Sequence, residues 1–178
     1  VWKAEDTVLG RIVAIKVLPA DLSRDEERRR MFLDEARLAS SVSEAHIVQV
    51  FEFGREGDLD FIVMEYVTGQ PLSRTLQGRP LPSEKVAEWG AQVAQALSRA
   101  HRKGLLHRDL KPGNIVLTSA GVKLLDFGLA KLVQSSVNED SSHLQTEAKP
   151  LTSEGTILGT FQYMAPEQLE GKEADART

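Results

Sequence analysis

Apolar positions fall into two regimes along the chain. From Arg11 to Leu18 the sequence is β-branched and apolar and stops at Pro19, which predicts a buried strand. Similar runs from Ile47 to Phe53 and from Phe61 to Val67 predict two more, separated by the turn-prone stretch Gly54 to Asp60. Between the first and second runs the period becomes helical, with Met31, Phe32, Glu35, Leu38 and Ala39 on one side. Ser23, followed three residues later by Glu26, predicts a capping box ahead of that helix. Glu35 is an acid on the side of Leu38 and Ala39, so burying it demands a cationic partner.

After Thr68-Gly69-Gln70-Pro71 the helical period dominates. A short helix is expected near Leu72 to Leu76, and a long one from the N-cap candidate Ser83, with Val86, Trp89, Val93, Leu97 and Ala100 as its apolar stripe and Gly104 as its stop. That stripe reads as core packing rather than a ligand site. Two short strands follow, Ile115 to Leu117 and Val122 to Leu125, around a turn at Ser119-Ala120-Gly121. Residues 133 to 155 are rich in Ser, Glu, Thr and Asn without apolar periodicity, which predicts a long loop. No internal repeat interrupts this order.

Composition narrows the function classes. At 178 residues and 41% hydrophobic content, the chain can bury roughly two thirds of its unfolded surface, enough for one domain or two small lobes. The net charge of -4 and the lack of a basic stripe with interleaved aromatics argue against nucleic acid as a partner. Arg28-Arg29-Arg30 follows Asp25-Glu26-Glu27 on the predicted helix and reads as a solvated face. With no cysteine, disulfides, thiolate metal sites and thiol nucleophiles are excluded. His46, His101, His107 and His143 lie in separate elements without a zinc-ligand spacing. No apolar stretch approaches the roughly 20 residues of a membrane helix, and no signal peptide is visible, so no membrane contact is expected within this segment.

The densest chemistry lies in His107-Arg108-Asp109-Leu110-Lys111-Pro112-Gly113-Asn114, followed twelve residues after Asn114 by Asp126-Phe127-Gly128. Asp109 suits a group that receives or orients the proton of an attacking hydroxyl. Asn114 and Asp126 offer hard oxygen ligands of the kind that hold magnesium on ATP phosphates. Taken singly, each has a plainer reading, since a loop Asp is usually a turn former and a strand-end Lys usually extends to water. Their order is more specific. Val13-Ala14-Ile15-Lys16 on a strand, Glu35 on the next helix, the two motifs above and Ala165-Pro166-Glu167 follow one another as in protein kinases.

Over nearly its whole length the chain therefore resembles the catalytic domain of Ser/Thr protein kinases, most closely the bacterial, eukaryotic-like branch. The resemblance implies an α+β, two-lobed fold: an N-lobe and hinge over 1–67, with a small antiparallel sheet and one helix, and a mainly helical, incomplete C-lobe over 68–178 that carries the catalytic loop and an activation segment at 126–167. It implies ATP and Mg2+ as cofactors and Ser/Thr-bearing proteins as substrates, including a second copy of the protein acting in trans. A cytoplasmic location is expected for the domain, with membrane anchoring of the parent left open.

The site roles follow from matching positions. Lys16 is expected to hold the α and β phosphates and to pair with Glu35, which would account for that acid on an apolar face. Asp109 would orient the substrate hydroxyl, Lys111 would stabilise the transferring charge, and Asn114 and Asp126 would bind metal. Lys111, two residues after the aspartate, points to Ser/Thr rather than Tyr substrates. Met64 resembles the gatekeeper, the backbone groups of Glu65 and Val67 would meet the adenine edge, and Ala14 and Leu117 would sandwich the ring. Arg108 implies control by a phosphate in the activation loop, with Thr152, Ser153 and Thr156 as near candidates and Thr146 as a farther one. Thr160 matches the threonine that contacts Asp109 and Lys111, although Phe161 stands where many members have proline. His107 and Phe127 resemble packing residues.

A glycine-rich loop would precede Val1, and further helices, one carrying an arginine partner for Glu167, would follow Thr178. The chain thus reads as a piece of a longer kinase, expected by itself to be weakly active and marginally stable. The alternative reading is an inactive fragment or a pseudokinase-like module that binds ATP or a partner. A pseudokinase would require a broken Lys16, Asp109, Asn114 or Asp126, and all four are intact.

Overall fold

The computed structural model describes residues 1–18, 26–77, 80–127 and 162–178. Strands β1 (Trp2–Asp6) and β2 (Arg11–Val17) form a hairpin in the register Trp2↔Ile15 to Asp6↔Arg11. Its turn is built locally: the Asp6 carboxylate accepts the backbone N–H groups of Val8 and Leu9, and Gly10 takes the left-handed φ of 64°. The β1 strand was not among the sequence expectations, because Trp2-Lys3-Ala4-Glu5-Asp6 has no β-branched residue and ends in two acids.

Two further strands, β3 (Val50–Glu56) and β4 (Leu59–Glu65), complete an antiparallel sheet in the order β1-β2-β4-β3. The expected break at Gly54 to Asp60 shrinks to the two residues Gly57-Asp58, because Glu56 pairs with Leu59 and Gly57 supplies a positive φ of 58°. Gly54 stays within β3, where a Cβ would collide with the Phe61 ring. The strand expected from Ile47 begins later, at Val50. Residues 46–48 instead join another strand, as described below.

Helix α1 (Glu26–Ser40) lies along the sheet with Ala36 and Ala39 buried, while Met31 remains exposed. The Ser23 capping box falls outside the described residues, as do the side chains of Phe32 and Glu35. Arg29 departs from the solvated reading: its guanidinium lies 3.2 Å from Asp60, a carboxylate that is only 3% exposed. Asp60 therefore belongs to the core side of β4 rather than to a turn.

The second lobe begins with β5 (Gln70–Pro71), α2 (Leu72–Thr75) and α3 (Ser83–His101). Pro82, not Ser83, occupies the N-cap of α3, with no side-chain cap, since its φ of -56° and ψ of 136° deliver an extended residue directly into the helix. Ala96 and Ala100 are fully buried, Trp89, Val93 and Leu97 flank them, and Val86 is exposed, so the stripe is narrower and smaller in volume than expected. Small residues let α3 approach β7 (Gly121–Leu124), whose first inner N–H, from Val122, donates to Gln92 Oε1 at 2.9 Å. With β6 (Ile115–Thr118), β7 and β5 form a second antiparallel sheet, ordered β5-β6-β7. A short helix, α4 (Pro166–Leu169), follows in the C-terminal part.

Two hydrophobic clusters result. One joins Ala14, Leu18, Val48, Ile62 and Met64 under the first sheet; the other joins Ala39, Ile47, Ala96, Ala100, Leu105 and Leu124 with Phe127 between helix and second sheet. The architecture is the expected two-lobed α+β arrangement. The lobes are also sewn together without covalent help: Val48 N–H donates to the Leu124 carbonyl and Leu124 N–H to that of His46, forming a parallel bridge at Ile47.

Candidate active site

The loop from Leu105 to Lys111 leaves the core at Leu105 and His107, both nearly inaccessible, and re-enters it at the buried Asn114. A 3-10 turn at Pro112–Asn114 connects this loop to β6. Asn114 organises the turn. Its amide nitrogen donates to the Asp109 carbonyl at 2.8 Å and to Asp109 Oδ2 at 3.0 Å. Lys111 Nζ approaches the same Oδ2 to 2.8 Å. Asp109, Lys111 and Asn114, expected to work together, are thus one bonded unit whose amide geometry turns Oδ1 of Asn114 away from Asp109.

Asp126 comes to this unit from β7, through Leu125, whose N–H donates to the Asn114 carbonyl at 2.9 Å. Lys16 comes from β2 and places Nζ 2.7 Å from Asp126 Oδ1, across 110 positions of sequence. The expected partner Glu35 lies on α1, with its side chain outside the described residues, so the contact described for Lys16 is the one to Asp126. Both charges are about one-third exposed, which leaves the pair open to exchange for a ligand's charges. Arg108 and Asp126 alone among the described non-glycine residues take positive φ, 62° and 59°. Backbone held there costs about 1–3 kcal/mol and persists only when its surroundings impose it.

His107 supplies part of that constraint. Its ring packs on Phe127 at 4.6 Å between centroids, and its Nδ1 accepts the Asp109 N–H at 3.3 Å. Burial pushes its pKa below the usual 6.5, against the backbone of Leu125 and the charges of Asp109 and Asp126, which favour the protonated ring. Nε2 makes no hydrogen bond of good geometry among the described residues. Burial thus favours the neutral ring, packed on Phe127.

The nucleotide-facing expectations divide between the two sheets. Ala14 pairs in register with Met64, both buried in the first cluster, and Val67 packs against them; Leu117 borders the second cluster. Behind Met64 lies a small apolar cavity of about 20 Å³ between Ala39, Val50, Ile62 and Phe127, with Asp126 at its rim. It is water-sized, too small for a base. Asp126 and Asn114 fit a magnesium-bound nucleotide by donor chemistry: one anionic and one neutral oxygen donor, backbone-linked, beside a lysine ammonium.

Gln168 escaped sequence reasoning. Its Nε2 donates to the Arg108 carbonyl at 2.8 Å and its Oε1 accepts the Ala165 N–H at 3.1 Å, so α4 holds the loop at Arg108 by its backbone. The local signal was a glutamine at the third helical position after Ala165. Glu167 does not stand as a buried orphan. It is half-exposed, and the Thr178 hydroxyl donating to Oε1 at 2.7 Å holds its carboxyl below the usual range. Thr146, Thr152, Ser153, Thr156, Thr160 and Gly128 fall outside the described residues. No helix among the described residues is long and apolar enough to cross a membrane.

A family model described as protein kinase domain matches residues 1–178. A probable serine/threonine-protein kinase of Streptomyces coelicolor is 40% identical over all of this chain, and the serine/threonine-protein kinase PknA of Mycobacterium tuberculosis is 41% identical over 98% of it. The chain spans 26% and 39% of those two proteins. Among solved structures, the kinase domain of Mycobacterium tuberculosis PknI superimposes with a TM-score of 0.68 at 31% identity, covering 94% of this chain and 57% of that one.

Proposed function

The chain belongs to the protein kinase domain family, and from that premise we propose that the protein carrying it transfers the γ-phosphoryl group of Mg-ATP to Ser and Thr hydroxyls of proteins, its own activation loop included. The observation that carries this reading is the convergence of Lys16, Asp126, Asn114, Asp109 and Lys111 through contacts of 2.7–3.0 Å from three separate elements.

In the transfer, the substrate hydroxyl oxygen forms a bond to the γ-phosphorus as the bond to the β-γ bridging oxygen breaks, and ADP leaves. Asp109 receives the hydroxyl proton, and the contacts of Asn114 and Lys111 to its Oδ2 fix the orientation of the carboxylate that accepts it. Lys111 balances the charge that spreads over the transferring group, while Lys16 exchanges Asp126 for the α and β phosphates. Asn114 and Asp126 would hold magnesium, which would supply neutralisation of the phosphate charge. Ala14, Met64, Val67 and Leu117 shape the adenine site, with backbone groups of Glu65 and Val67 on the base edge. Arg108 answers to a phosphate on Thr152, Ser153 or Thr156, and Thr160 favours Ser/Thr substrates; Ser- and Thr-bearing proteins are the partners.

Asp109→Asn in the full-length protein tests the assignment. Phosphate transfer to protein should fall at least about 100-fold, while ATP affinity stays within about threefold. A variant that still transfers phosphate at the unmodified rate would refute the role of Asp109.

A further inference from the structure

Lys123 lies on β7, between Val122 and Leu124, whose side chains are 1% and 0% exposed. Strand alternation turns it to the opposite face. There its Nζ stands 2.7 Å from Glu65 Oε2 and 3.3 Å from the Ile47 carbonyl, across 58 and 76 positions of sequence. Glu65 is equally committed. Its Oε2 also accepts the Gln49 N–H at 3.2 Å, and its own N–H donates to the Gln49 carbonyl at 2.8 Å. Both charged side chains are mostly covered, at 20% and 31% exposure. Such a pair is screened less than a surface one, and losing one partner strands the other.

Its place in the chain gives the pair a purpose. Glu65 is the last residue of β4, immediately before the chain crosses between the lobes, and Lys123 precedes Asp126 by three residues on the strand that delivers that carboxylate. We propose that Lys123 and Glu65 form a strut that fixes the base-recognising edge of the hinge relative to Asp126, and so act as positioning residues for ATP. This rests on the kinase reading above, in which the backbone of Glu65 meets the adenine edge. The side chain of Glu65, in a position read only for its backbone, thereby gains a role of its own. The strut acts on where the nucleotide sits, not on the bond that breaks, so its loss should be read in KM for ATP and not in kcat.

The test uses the full-length protein with Lys123→Met, Glu65→Gln, the double variant and Lys123→Arg. Backbone hydrogen exchange over 64–67 without nucleotide comes first, then steady-state kinetics with ATP. Each single neutral variant should speed exchange at 64–67 and raise KM for ATP by about five- to tenfold with kcat within about twofold, and the double should be no worse than either single. Lys123→Arg should stay near the unmodified values. Unchanged exchange and KM in both singles, or a double whose effect is the product of the singles, would overturn the strut. A fall in kcat matching the rise in KM would overturn its assignment to the hinge. If Lys123→Met does not fold, Glu65→Asp, which withdraws the carboxylate by one methylene and keeps its charge, should produce the same exchange and KM changes, and unchanged values there overturn the proposal. Should the unmodified protein transfer no phosphate, the kinase reading fails by itself, and the exchange measurement still decides the strut.

Discussion

Asn114→Ala puts the internal bonding of the Asp109–Asn114 loop to the test. The amide nitrogen of Asn114, a residue only 8% exposed, donates to the Asp109 carbonyl at 2.8 Å and to its carboxylate at 3.0 Å. A neutral hydrogen bond contributes about 1 kcal/mol and one to a charged group about 1.5–3 kcal/mol, so the gross loss is about 2.5–4 kcal/mol. Lys111 remains on Asp109 Oδ2 at 2.8 Å and keeps that oxygen from being stranded. A net loss of about 2 kcal/mol follows, or a fall in Tm of about 4–8 °C for a domain of this size. Asn114→Asp sharpens the measurement, because it retains the shape and places a second carboxylate against Asp109. At an effective dielectric constant of about 20, charges about 3 Å apart repel by about 5 kcal/mol, part of which Lys111 offsets. Thermal melting of the full-length variants at neutral pH, followed through the domain's own transition, should rank unmodified above Ala and Ala above Asp. An Ala variant melting within about 1 °C of the unmodified protein, or an Asp variant melting above Ala, would refute the reasoning.

Gly69→Ala should destabilise the domain by about 1–3 kcal/mol, because a Cβ there would meet the Leu117 backbone carbonyl and Val116 Cγ1, and a backbone group cannot rotate aside; denaturant unfolding checks it, and an unchanged midpoint counts against the close approach. His107 makes stability pH-dependent. Its folded pKa lies below 6.5, so the unfolded chain binds more protons, the contribution is complete above 6.5 and is lost as pH falls from 6.5 through the lowered folded value. The slope of Tm against pH over that window should flatten in His107→Phe, and a slope unaltered by the substitution would remove His107 as its source.

What the sequence made legible was whatever repeats locally. The β2 strand, the turn at Gly121, the stop before Gly104 and the loop motif holding Asp109, Lys111 and Asn114 rest on short-range patterns, and each has its place in the fold. The misses share a different cause. Trp2–Asp6 becomes a strand because Arg11–Val17 offers it an antiparallel edge, and Arg55 and Glu56 stay in β3 because Asp60 and Leu59 pair with them. Arg29 read as solvated only until β4 brought the buried Asp60 to it. Contacts such as Lys16 to Asp126, Lys123 to Glu65 and Gln168 to Arg108 join positions 58 to 110 residues apart, and no spacing rule along one chain encodes them. Motif order could recommend Lys16 and Asp126 as members of one site; only the folded backbone makes them neighbours.

The stitch between residues 46–48 and Leu124 has a mechanical consequence. In the sheet ordered β5-β6-β7, the covalent crossing enters at β5 and the hydrogen-bonded one at β7, so the second lobe is gripped at both borders of one small sheet. Two strand spacings separate those grips, about 10 Å. A body pinned at two points that far apart can swing about the line through them but resists twisting across it. Any swing of one lobe against the other would turn about the line through those grips, and would carry the ammonium of Lys16 towards or away from Asp126.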